Sequence, residues 1–168
     1  MSALCATIAE MLVEQPVLPG GDTLAESAQA ATTALDCGQA RCADPFLAVR
    51  LAARGDLEAM RHLADEAIRR VLAGLELYPL VPLHEGAMFA RMAAEVSNEP
   101  HDHLIVVFLL SLAAGQVEPD EAVEYAGECI ARLELAADLG GEVGEQAARI
   151  LTQCASDERQ QTIEIGKT

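Results

Sequence analysis

The chain has little of what usually anchors a protein core. Tryptophan is absent, and three phenylalanines and two tyrosines bring aromatics to 3% of 168 residues. A core without large rings must be aliphatic and held by many modest contacts. Positive charge is scarce too: 11 bases face 27 acids, for a net charge of −16. A field of that sign repels phosphate backbones and anionic lipids, so neither nucleic acid nor a membrane surface is expected as a partner. What remains is a protein or peptide partner, of basic character where charge guides it. Long apolar runs are missing as well. The longest, Leu104 to Leu110 extending to Ala114, is about half the length needed to cross a bilayer. The start Met1-Ser2-Ala3-Leu4-Cys5 carries no basic region, and Glu10 and Glu14 interrupt the apolar stretch behind it, which predicts no secretory leader.

The charge is uneven. Residues 1–40 hold five acids and no base, residues 41–75 six arginines against five acids, and residues 116–168 twelve acids against four bases. The simplest use of the acidic excess is solubility for an Ala- and Leu-rich chain. Five cysteines, Cys5, Cys37, Cys42, Cys129 and Cys154, form an odd set without regular spacing. A domain of this size does not depend on disulfide staples, so reduced thiols and a cytoplasmic location are expected. Cys37 and Cys42 bracket a loop small enough to close as a disulfide, but read more simply as two thiols around a turn at Gly38. Cys129 and Cys154 fall on apolar helix faces and read as core.

What is present is helix-forming residues at helical spacing. Alanine and leucine lead the propensity scale. Leu57, Met60, Ala64, Ala67 and Val71 step by three and four, with Leu63, Ile68 and Leu72 widening the stripe. Asp56, after Gly55, is a natural N-cap. Val123, Ala126, Ile130, Leu133 and Ala137 repeat the step, with Pro119 in the first turn and Gly140-Gly141 ending the run. Thr23 and Glu26 form a capping box. Leu104 to Leu112 is apolar on every side, as in a helix enclosed by neighbours. The spacing predicts an all-α fold of about eight helices, at 3–14, 23–36, 44–54, 57–73, 85–96, 101–114, 120–139 and 142–155. Short connectors make successive helices antiparallel. A single helical domain is expected over 1–156, followed by a polar tail over 157–168. Both an α-solenoid and a closed bundle fit this pattern.

Two connectors differ from the rest: Gln15-Pro16-Val17-Leu18-Pro19-Gly20-Gly21 and Tyr78-Pro79-Leu80-Val81-Pro82-Leu83. Each sets two prolines around two aliphatics. They read as extended connectors covering the end of the core, or as exposed Pro-rich ligands.

Self-similarity is visible between Leu51-Ala52-Ala53-Arg54-Gly55-Asp56, Met92-Ala93-Ala94-Glu95 and Leu135-Ala136-Ala137-Asp138-Leu139-Gly140. Each is a helix end and a turn in which paired alanines let the next helix approach. These segments resemble the Sel-one-like branch of the tetratricopeptide-type repeats, with a repeat-like region over 44–155. Gly115-Gln116-Val117-Glu118-Pro119-Asp120-Glu121-Ala122 through Tyr125 is similar to another stretch of that family with one Gly missing. The middle unit departs by having Ser97-Asn98-Glu99-Pro100 in place of the turn glycine, and the tyrosine expected after Leu63 is absent. The resemblance implies a scaffold that binds peptides or proteins, and it brings no catalytic residues with it.

Several side chains are candidates for function. Arg50, Arg54 and Arg61 form a basic patch suited to a carboxylate or phosphate, or they pair with Glu58, Asp65 and Glu66. Tyr78, Phe89 and Tyr125, with Phe46, are the available aromatic anchors for a partner. His101 and His103, beside Glu99 and Asp102, are the densest set of metal-ligand types. Two positions apart on a helix they diverge by about 200°, which opposes shared ligation. Asp102 reads as favourable to the helix dipole. No phosphate loop, zinc motif or nucleophile elbow occurs, and no cofactor is expected. The first expectation is a non-enzymatic interaction module. A small metal- or ligand-binding helical enzyme using the His101/His103 region, or an oligomerising structural protein, are the alternatives.

Overall fold

A computed structural model describes residues 3–13 and 45–165. Seven helices occupy them: α1 (Ala3–Val13), α2 (Pro45–Ala52), α3 (Leu57–Leu72), α4 (Leu80–Ser97), α5 (Pro100–Ala114), α6 (Pro119–Leu139) and α7 (Gly141–Ile165). No strand occurs among the described residues, so the all-α expectation holds. The helix expected at 23–36, the first Pro-rich connector and Cys37 and Cys42 lie outside the described residues.

Local chemistry sets the helix boundaries. The Asp56 carboxylate accepts from the Ala59 N–H at 2.9 Å and caps α3. Pro100 and Pro119 open α5 and α6, where a missing N–H costs nothing. The turn after each Ala pair contains a left-handed residue: Gly55 at φ 89°, Asn98 at φ 52° and Gly140 at φ 76°. Asparagine thus fills the place that sequence comparison left without its glycine, being one of the few side chains that tolerate that backbone.

The second Pro-rich connector is not extended, and α4 starts at Leu80 rather than 85. Pro79 is its N-cap, and Leu83 N–H donates to Pro79 O at 3.1 Å. Pro82 sits in the first turn, where backbone N–H groups have no helical acceptor, so both prolines fit without loss. At the other end of the chain α7 continues to Ile165, beyond the expected stop at 155.

Helix α5 is the axis of the structure. Asp102 to Ser111, Ala113 and Ala114 are all buried, as the unbroken apolar run predicts. It packs on α4 and α6 most extensively, then on α1, with smaller contacts to α7 and α3. Helix α1 contributes Cys5, Ile8 and Leu12, each without exposed surface. Helix α1 thereby covers this side of α5.

Small residues set the spacing between layers. A Cβ on Gly86 would lie 2.6 Å from Ala67 Cβ and 3.2 Å from Leu109 Cδ2, so α4 meets α3 and α5 at a distance only glycine permits. Gly144 has the same role between α7 and α6, where an added Cβ would lie 2.8 Å from Ala136 O. The first alanine of each pair, Ala52, Ala93 and Ala136, is buried. On α6 the buried stripe is Ala122, Ala126, Cys129, Leu133 and Ala136, mostly one position earlier than expected. Val123 is exposed, because alanine and cysteine on the adjoining stripe let α6 close more tightly on α5. Among the described residues no helix is long and apolar enough to cross a membrane.

Candidate functional site

Helices two apart in sequence run side by side in the same direction, and their side chains meet. Along α4 and α6, His84 pairs with Tyr125, Arg91 with Glu128 and Glu95 with Arg132. The Tyr125 hydroxyl donates to Glu121 at 3.3 Å and therefore accepts from His84 Nε2–H at 2.7 Å. The two rings also meet edge to face at 5.8 Å. Burial, then Glu121, raises the Tyr125 pKa.

Beside this seam lies the most exposed apolar surface of the described chain. Helix α3 ends through Gly74 at φ 67°, Leu75 N–H donates to Arg70 O at 3.0 Å, and Arg70 pairs with Glu76. The turn is therefore held in place by its own bonds. It nonetheless exposes Leu75, Leu77 at 84%, Tyr78 at 74% and, on the first turn of α4, Val81 at 59%. Pro82 and Leu83 turn inward. The outer face of α4 continues the stripe with exposed Met88 and half-buried Met92. Clustered apolar exposure on an ordered surface marks an interaction site more often than scattered exposure does.

A second polar cluster joins α3 to the start of α5. The Arg61 guanidinium forks onto Asp102, with Nε to Oδ1 at 2.9 Å and a terminal nitrogen to Oδ2 at 2.7 Å. It also reaches Glu99 at 2.7 Å and Glu58 at 3.3 Å. Asp102 is 2% exposed and accepts a further bond from the Ser97 hydroxyl. Burial opposes its charge, but the Arg61 and Ser97 bonds prevail and hold the carboxyl below its ordinary pKa. Above this cluster is a cleft of about 420 Å³ whose lining includes Arg61, His62, Asp65, Ala90 and Ile105. Its charged groups are paired with one another or with neighbours, as Asp65 is with Arg69.

The two histidines diverge as their spacing requires. His101 lies half-buried on the side of Arg61 and Asp65, and burial is the main cause lowering its pKa. His103 is buried and faces α6, where Arg132 donates to its Nδ1 at 3.4 Å. Arginine only donates, so Nδ1 is the acceptor and Nε2 carries the proton. That Nε2 is buried without a hydrogen-bond partner among the described residues. Burial first, then Arg132, lowers the His103 pKa. Among the described residues no group of three or more His, Cys, Asp or Glu side chains is placed to hold a metal ion.

The remaining candidates scatter. Arg50 and Arg54 are exposed at the end of α2 and beyond, while Arg61 is committed to three carboxylates, so the three do not present one free cationic patch. Phe89 is half-buried between two parts of the core. Tyr125 is bound at the seam, and Tyr78 stands largely in solvent. Sequence reasoning passed over Leu75, Leu77 and Met88, because exposure of a leucine or methionine depends on tertiary placement. It also missed the Asp102–Arg61 bond, which joins positions 41 residues apart. Cys129 is buried against Ser111 and the Val107 carbonyl, and burial pushes its thiol up to about 12. Such a thiol is inert rather than nucleophilic. Comparison with known proteins finds no matching family model, no matching curated protein and no matching solved structure.

Proposed function

We propose that the chain is a non-enzymatic helical module that binds another protein, with Tyr78 at the centre of the contact. The observation that carries this reading is the exposure of Leu77, Tyr78 and Val81 on a turn fixed by backbone and ion-pair bonds. An ordered apolar surface loses little conformational entropy when a partner covers it, and tyrosine is a favoured anchor residue. Three left-handed turns at Gly55, Asn98 and Gly140 support reading 44–155 as degenerate helix-pair repeats of Sel-one-like type. In this reading the partner meets an outer face, since α1 covers the inner one. The setting is the cytoplasm, with reduced thiols.

A photoreactive amino acid at Tyr78 tests this in native extract. Discrete adducts are expected from position 78 and none from a control at Glu142, which is exposed at the start of α7. Equal labelling from both positions, or none from 78, would overturn the reading.

A further inference from the structure

We infer that the partner segment is a cationic amphipathic helix, lying along the outer face of α4 with its basic residues toward α6. This rests on the interaction reading above and adds to it the chemistry of the ligand. The exposed Val81 and Met88 and the half-buried Met92 follow one another at seven and four residues, a straight stripe along the helix axis, and Leu77 and Tyr78 extend it past the N-terminus. A straight stripe of that kind matches the apolar face of a second helix.

The charge beside the stripe is predominantly negative. Its two arginines are both engaged, Arg91 by Glu128 at 2.7 Å and Arg132 by Glu95 at 2.9 Å. Glu85 is exposed on the stripe itself, and Glu121 and Glu124 are exposed on α6. Glu121 is tied to the seam through Tyr125 and His84, which places carboxylates directly alongside α4. A helix with Lys or Arg flanking its apolar face meets both features at once. An acidic helix is repelled, and a purely polar cation leaves the apolar stripe in water.

The test uses the full chain and three synthetic helices of about 18 residues, long enough at ~1.5 Å per residue to follow α4. One is Leu/Lys amphipathic, one Leu/Glu in the same pattern and one Ser/Lys. The Leu/Lys helix is expected to bind, with an affinity that falls as salt rises. The Ser/Lys helix should bind at least ~10-fold more weakly for want of apolar contact, and the Leu/Glu helix not at all. Y78S/V81S and E121Q/E124Q should each weaken Leu/Lys binding several-fold while far-UV circular dichroism shows the helices retained. E142Q/E145Q, remote from the seam, should leave it unchanged. Equal losses from the remote pair, or Ser/Lys binding as tight as Leu/Lys, would show attraction to the −16 chain at large and overturn the inference. So would dimerisation of the wild type that Y78S abolishes, since the occupant is then a second copy. The two readings fail separately. A native adduct at Tyr78 on a neutral or acidic segment leaves the module and removes the cationic helix. Peptide selectivity without any native adduct does the reverse.

Discussion

Two sets of ion pairs tie together helices that are two apart in sequence, and they are built differently. On the α3–α5 side Arg61 forks onto an aspartate that is 2% exposed. On the α4–α6 side Arg91 and Glu128 are each about one-third exposed, at 36% and 30%, and Arg132 pairs with a Glu95 that is 71% exposed. The same residue types at similar distances therefore do different work. A carboxylate sealed beneath the start of α5 requires its cation, because the ionised group has no water to return to. A carboxylate on the seam exchanges its arginine for solvent at little cost. Buried pairs fix the position of α5, and the exposed ladder leaves its acids available to other cations.

The sharpest test is the same substitution on both sides. Arg61→Met keeps the stem and removes the fork, leaving Asp102 with Ser97 alone. Because Arg61 is itself partly solvated, the loss should be about 2–3 kcal/mol, below the full value for a sealed pair. Urea denaturation measures it, and a loss no larger than that of Arg91→Met would erase the distinction.

A second test separates the flanks of α5 by pH. His101 and His103 both have pKa values lowered in the fold, chiefly by burial, with Arg61 and Arg132 respectively adding to it. The folded protein thus binds fewer protons than the unfolded chain just below the unfolded histidine pKa of about 6.5. Stability should fall as pH drops through that value and level once the folded histidines protonate. Glu95 and Asp102 act against this shift at His103 but do not reverse it. Asp102, also lowered, adds its own loss only at still lower pH, as its carboxyl protonates. His103→Asn keeps an acceptor for Arg132 without a titrating ring, and should flatten the decline between pH 7 and pH 5. An unchanged slope would assign the effect to His101 on the Arg61 side.

How much of this was legible in the sequence depends on the range of the interaction. The period of the apolar residues located α3, α5 and α6, and the unbroken run at 104–112 identified the enclosed helix, because local pattern determines burial there. Asp56 as cap and Pro119 in the first turn were legible for the same reason. The start of α4 was not. Pro79 and Pro82 look like breakers, and only their place relative to the first free N–H groups makes them harmless. Asp102 read as a dipole partner, since nothing local points to Arg61 two helices away. The rotation of the α6 stripe by one residue turns on whether Ala122 or Val123 fits the gap beside α5, a matter of tertiary spacing. Tyr78 was a reasonable anchor on residue type, but the leucines around it became part of a surface only once the turn was seen to hold them outward.

The smallest effect bears most directly on function. Arg91→Met should cost only about 1 kcal/mol, since both members of the pair keep access to solvent, and less at high salt. It also removes one of the two seam arginines and leaves Glu128, beside Glu121 and Glu124, with only its longer contact to Arg132. The seam then becomes more acidic with the fold almost unchanged, so binding of the Leu/Lys helix should tighten as stability slips slightly. Arg61→Met moves the two readouts the other way: a large stability loss, with peptide affinity per folded molecule unaltered. Parallel isothermal titrations at low salt distinguish them. If Arg91→Met weakens the peptide instead, Arg91 belongs to the contact and the partner must carry an acid opposite it.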